Sequence, residues 1–221
     1  MTLTTETHAE AQRRRTLLKG RVDFTMMYVA HDAFNRDLSR LIDAVGRGDG
    51  LSTAAASTWK LFTAQLHTHH TAEDRALWPP LRDAVTDPND LAVLDAMESE
   101  HAQIDPLLDT VDAAFASREN AVLINELADL ADGLARHMRH EENSALPLLD
   151  RTLGQAGWDG FVARIRHENG GLRGGAAYLP WVLDGASDQL TTAVLRTLPR
   201  PARWLYRRRW APRYRQAGHL R

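Results

Sequence analysis

The strongest constraint on the fold is a set of donor residues that occurs twice at matched spacing. His69-x-x-x-Glu73-Asp74 reaches Pro79 ten residues after its histidine, and His137-x-x-x-Glu141-Glu142 reaches Pro147 at the same distance. A lone histidine precedes each motif: His31 comes before His69, and His101 before His137. One helical hairpin is therefore repeated at a separation of about 68–70 residues. Residues four apart lie on the same side of a helix, so each His-Glu pair points one way. His70 and Asp74 share that spacing, but only His69 with Glu73 matches the second half in its distance to the proline.

The apolar pattern around these motifs has a period of 3.6 residues, and it appears four times. Residues 23–45 align Phe24, Met27, His31, Phe34, Leu38, Leu41 and Val45, and the GRGDG run ends that stretch. A second stripe (Trp59, Phe62, Leu66, His69, Glu73, Leu77) opens near the N-cap candidate Ser52 and is expected to stop at Pro79-Pro80. The third follows Pro88-Asn89-Asp90 with Leu94, Met97, His101, Ile104, Leu108, Val111 and Phe115, and Pro106 within it predicts a kink or break. The fourth runs from about Arg118 through Leu123, Leu127, Leu130, Leu134, His137 and Glu141 to Pro147. Short connections between long helices imply an all-α, up-down-up-down four-helix bundle over residues 23–150. Residues 1–22 are expected as a flexible N-terminal segment, and residues 151–221 as a helical extension.

Each motif breaks an otherwise apolar stripe, which is costly unless the buried carboxylates and imidazoles find partners. A single core histidine is more often a packing residue, and a single His-x-x-x-Glu pair more often a surface contact. Four histidines and two glutamates on four facing stripes are different, because two metal ions among them remove the conflict. The expected ligands are His31, His69, Glu73, His101, His137 and Glu141. No cysteine is available, so thiolate zinc sites, iron–sulfur ligation and disulfides are excluded. A ferritin-like site needs two Glu-x-x-His motifs, and Glu98-x-x-His101 has no second copy. His67, His70 and His140 flank the stripe and are expected at the surface or behind the ligands. Asp105, Glu98 and Tyr28 complete the set of neighbours considered as additional or supporting groups, with packing the expected role of Tyr28.

These residues resemble the hemerythrin or HHE cation-binding domain, in its bacterial branch. The phrases Glu73-Asp74-x-x-Leu77-Trp78-Pro79, Glu100-His101-x-x-Ile104 and Glu141-Glu142 belong to the same likeness. The resemblance implies two iron ions with an oxo or hydroxo bridge, and oxygen, nitric oxide or peroxide as the small ligand. The oxygen carriers of that family have a second histidine four residues from the first on the third helix, and end the fourth-helix motif in aspartate. Here Asp105 and Met97 occupy the positions four away from His101, and the motif ends in Glu141. Fewer histidines imply more open metal positions, so catalase-like peroxide turnover is expected ahead of reversible oxygen carriage. The rival readings are an iron, oxygen or redox sensor that signals to a partner through the C-terminal extension, and a helical adaptor whose site stays empty.

Beyond the bundle, GQAGWDG and the glycines around Leu172 are expected to break the chain, leaving short helices that pack on the bundle. The basic residues are polarised: Arg196, Arg200, Arg203, Arg207, Arg208, Arg209, Arg213, Arg215 and Arg221 follow Asp188, the last acid. Trp204, Tyr206, Trp210 and Tyr214 are interleaved with them. An intramolecular clasp over the acidic bundle is favoured over contact with an anionic membrane, nucleic acid or a partner. No apolar run reaches membrane-spanning length and no secretory signal is evident, which predicts a cytoplasmic protein.

Overall fold

A computed structural model describes residues 8–18, 20–168 and 171–221, and every regular element among them is helical. Helix α1 (His8–Leu17) precedes four long helices, α2 (Thr25–Gly46), α3 (Thr53–Ala76), α5 (Pro88–Ser117) and α6 (Asn120–His140). The long helices form a closed ring of contacts: α2 on α3, α3 on α5, α5 on α6 and α6 on α2. The apolar stripes read from the sequence face inward, with Phe34, Phe62, Leu66, Leu94, Met97, Leu127 and Leu134 fully buried.

Prolines act as starts rather than stops. Helix α3 ends at Ala76, and the short α4 (Trp78–Ala84) carries Pro79 and Pro80 in its first turn, where a missing N–H leaves nothing unsatisfied. Helix α5 begins on Pro88, with the Asp87 carboxylate accepting the Asn89 N–H at 2.7 Å. Pro106 does not break α5, which remains helical on both sides of it. Ser52 caps α3 as expected, accepting the Ala55 N–H at 3.2 Å.

The fourth motif departs from a regular helix. After α6 the chain makes one π-helical turn, Glu141–Ala145, before α7 (Leu146–Thr152). The wider turn leaves both Glu141 and Glu142 buried, although consecutive residues on an α-helix diverge. The GQAGWDG run, expected as a break, is the first half of α8 (Gly154–Glu168), with Gly154 supplying a positive φ of 59° at its start. Gly174 and Gly175 likewise lie within α9 (Leu172–Val182); Gly170 lies outside the described residues.

The N-terminal segment is anchored where it is described. Arg15 of α1 is 6% exposed, and the Asp150 carboxylate accepts the backbone N–H groups of Arg21 and Val22. The extension docks on α2 through buried Asp37, which accepts Trp181 Nε1 at 2.7 Å and the Arg36 guanidinium at 2.7 and 2.9 Å. Arg40 meets Asp184 at 2.6 Å. Helix α10 (Asp188–Arg196) is capped by Ser187, and the chain ends in α11 (Arg200–Leu205), a π turn (Tyr206–Trp210) and α12 (Ala211–Gln216).

Tyr206, Trp210 and Tyr214 pack on the core, and the Leu220 N–H donates to Thr58 Oγ1. Arg200, Arg203, Arg207 and Arg208 surround Trp204, which is 57% exposed, and none of these four forms an ion pair among the described residues. No described helix is long and apolar enough to cross a membrane.

Candidate metal centre

The donors form a polar layer between two apolar clusters. On one side lie Phe34, Leu66, Ile104 and Leu134; on the other lie Met27, Leu77, Met97 and Ala145. His31, His69, His101 and His137 fall between those positions on α2, α3, α5 and α6 respectively, so each stripe is interrupted at one level. All six predicted ligands meet there.

Three groups of donor atoms lie within mutual reach of 4.8 Å: His31, His69 and Glu141; Glu73, His137 and Glu141; and His70, His101 and His137. Glu141 Oε2 is 3.1 Å from His31 Nε2, Glu73 Oε1 is 3.2 Å from His69 Nε2, and Glu73 Oε2 is 3.5 Å from His101 Nε2. The Nε2 atoms of His101 and His137 stand 3.1 Å apart. Among the described residues, both oxygens of Glu73, both of Glu141, and the Nε2 atoms of His31, His69 and His70 are buried without a hydrogen-bond partner. Burying so many orphaned polar atoms in one cavity is strongly unfavourable unless a cation bonds them. This donor set fits a hard or borderline metal, since it offers imidazole nitrogen and carboxylate oxygen only.

Carboxylates behind the histidines fix which nitrogen faces inward. His31 Nδ1 donates to Glu142 at 2.8 Å, His101 Nδ1 to Asp74 at 2.8 Å, and His137 Nδ1 to Glu100 at 2.9 Å. An ionised carboxylate only accepts, so each Nδ1 carries the proton and each Nε2 is presented to the cavity. The arrangement is crossed: the acid after Glu141 serves the lone histidine of the first half, and the acid after Glu73 serves that of the second.

Electrostatics follow from burial. Burial, reinforced by neighbouring imidazoles, holds His69 and His70 well below the ordinary histidine range, so both are neutral and ready to ligate. Burial lowers His137 too, partly offset by its bond to Glu100. Burial would lower His31, but the charges of Glu141 and Glu142 outweigh it and raise the group to about 9. Burial and the charge of Glu141 push Glu73 well above the carboxylate range. Burial would raise Glu142, yet His31 and Arg15 hold it below that range.

The model of the hemerythrin HHE cation-binding domain matches residues 22–149 of the chain. The chain belongs to this family. No curated protein and no solved structure matches it. The hemerythrin domain spans the four long helices and the π turn, and it leaves α1 and everything from Asp150 onward outside.

Of the supporting residues named from sequence, His70 joins the layer. Its ring stacks on His101 with centroids 4.0 Å apart. His140 stands behind the layer and donates to Glu100 at 2.8 Å. Glu98 and Asp105 do not take part: both are exposed, and Glu98 pairs with Arg82. Tyr28 lies beneath the Arg15 guanidinium, 4.8 Å from its ring centre. His67 is exposed. The roles of Asp74, Glu100 and Glu142 were not read from the sequence. Their signal was the acid directly after each motif glutamate and directly before His101. Arg15 carried no signal, because nothing in its neighbourhood repeats.

The extension also reaches this level. Trp181 packs on Phe34 with centroids 5.0 Å apart, and Phe34 in turn lies 5.3 Å from the His69 ring. Burial and the charge of Glu73 raise Tyr178, whose ring lies 5.7 Å from that of Trp181.

Proposed function

We propose that this hemerythrin domain, an antiparallel up-down-up-down bundle, holds two iron ions and binds oxygen, nitric oxide or peroxide at that pair. The observation that carries the reading is the set of orphaned buried atoms on Glu73, Glu141, His31, His69 and His70. Glu73 and Glu141 lie between the two imidazole groups and would bridge the ions. His31 and His69 would hold one ion, and His70, His101 and His137 the other. Iron bound there supplies redox capacity and a coordination position for a small ligand.

His70 changes the balance among the family's activities. Four imidazoles would leave the pair open to peroxide turnover. The layer offers five, with the fifth on α3 beside His69 instead of on α5. Fewer positions then remain for exchange, which supports binding of one small ligand over rapid peroxide disproportionation. The sensor reading draws support from α9: Trp181 and Phe34 connect the His69 side of the layer to the extension, giving metal status a physical route to the surface.

The test is anaerobic ferrous reconstitution followed by metal analysis and visible–ultraviolet spectra with oxygen, nitric oxide and peroxide in turn. Close to two irons per chain and a ligand-dependent charge-transfer spectrum are expected. A single zinc, no iron, or a spectrum indifferent to all three would overturn the reading.

A further inference from the structure

Helix α1 lies outside the matched domain, yet its Arg15 is buried against it. Arg15 Nε and Nη2 donate to Glu142 Oε2 and Oε1 at 2.9 and 2.7 Å, a two-pronged contact, while Nη1 donates to Asp32 at 2.8 Å. Arg14 reaches Glu142 Oε2 at 2.8 Å from a more exposed position. Glu142 is 1% exposed and spends its remaining capacity on His31 Nδ1. The other two supporting acids differ. Asp74 behind His101 is 42% exposed on its side chain, and Glu100 behind His137 is 27% exposed, so solvent supports their charge. Glu142 has no such access and needs a counter-charge supplied by protein.

We propose that Arg15 is a positioning residue for the metal centre. From α1 its fork holds the Glu142 carboxylate in one orientation, Glu142 fixes the His31 ring, and His31 Nε2 is thereby aimed at the cavity. This rests on the two-metal reading above and deepens it by making one of the two ions depend on a segment outside the family domain. A guanidinium suits the task because its fork engages both carboxylate oxygens in one plane, which a lysine cannot do.

The experiment is a chelator-competition titration of metal-free protein with ferrous iron. It compares wild type with Arg15→Gln, Arg15→Lys and the double variant Arg14→Gln/Arg15→Gln. Two binding steps are expected in wild type. Arg15→Gln should weaken one step by roughly tenfold or more and leave the other within twofold, since supporting groups typically contribute that much to metal affinity. Arg15→Lys should recover that step only in part, because an ammonium cannot engage both carboxylate oxygens in one plane. In the metal-free protein, the His31 Nδ1 proton should exchange with solvent at least about tenfold faster in Arg15→Gln and faster still in the double variant. If both steps weaken equally, or neither changes in the double variant, Arg15 is a structural residue and the proposal fails. Wild type with fewer than two steps would instead refute the two-metal reading, and the exchange rate of the His31 proton would then decide the positioning role alone.

Discussion

Glu73 and Glu141 each bury two oxygens that have no hydrogen-bond partner among the described residues. Replacing either with alanine should therefore remove most bound iron, as measured by metal analysis after reconstitution. His67→Ala, at an exposed position, should retain the wild-type content. His70→Ala should fall between them, losing iron from one side of the pair; full retention there would return His70 to a packing role. Metal-free protein should also respond to pH through His31. Its folded-state value of about 9 lies above the unfolded value near 6.5, so its contribution is complete below about pH 6.5 and disappears as pH rises through about 9. That amounts to roughly 3 kcal/mol across the window. Glu73, raised by burial, adds a slope of the same sign, so the informative quantity is the difference between wild type and His31→Gln in urea midpoints from pH 6.5 to 9. A variant with the same alkaline loss as wild type would contradict the assignment. Six candidate ligands were legible because two halves could be compared position by position. His70 was set aside by that same comparison, since its counterpart in the second half is Met138. The symmetry identifies what the halves share and is blind to a donor that only one half has.

At the scale of single elements, sequence periodicity located the long helices, and local chemistry then moved their ends. Ser52 and Asp87 cap because a short side-chain oxygen can reach the exposed N–H groups of the first turn. Pro79, Pro80 and Pro147 were read as ends of helices, but a proline tolerated in a first turn marks a start equally well, and only the packed chain decides between the two. The π turn at Glu141–Ala145 was illegible for a different reason: it places Glu141 in the polar layer and Glu142 on His31 and Arg15, residues more than a hundred positions away. The end of α5 supplies a test. Arg118 adopts a left-handed conformation with φ of 59°, strained for any residue that carries a Cβ. Arg118→Gly should stabilise the protein by about 0.5–1 kcal/mol, seen as a higher urea midpoint with unchanged iron content. A lower midpoint would mean that the arginine side chain contributes more than its backbone costs.

Across the whole molecule, the four arginines around Trp204 give the surface a strongly directional charge. The chain has 27 basic and 29 acidic residues, and nine of the arginines with none of the acids lie beyond Asp188. A pI of about 6.5 therefore describes a sum and conceals a separation. At that pH the protein should have almost no electrophoretic mobility while still possessing a large dipole, and neighbouring molecules can align head to tail. At about 10 mM salt the screening length is near 30 Å and such alignment is favoured; near 0.3 M it shrinks below about 8 Å. Light scattering at pH 6.5 should accordingly report association in dilute buffer that dissolves on adding salt, and Arg203→Glu/Arg207→Glu should remain monodisperse in both. Chromatography carries the same signature: a nominally neutral protein that adheres to cation and anion exchangers alike, each resin gripping the opposite pole.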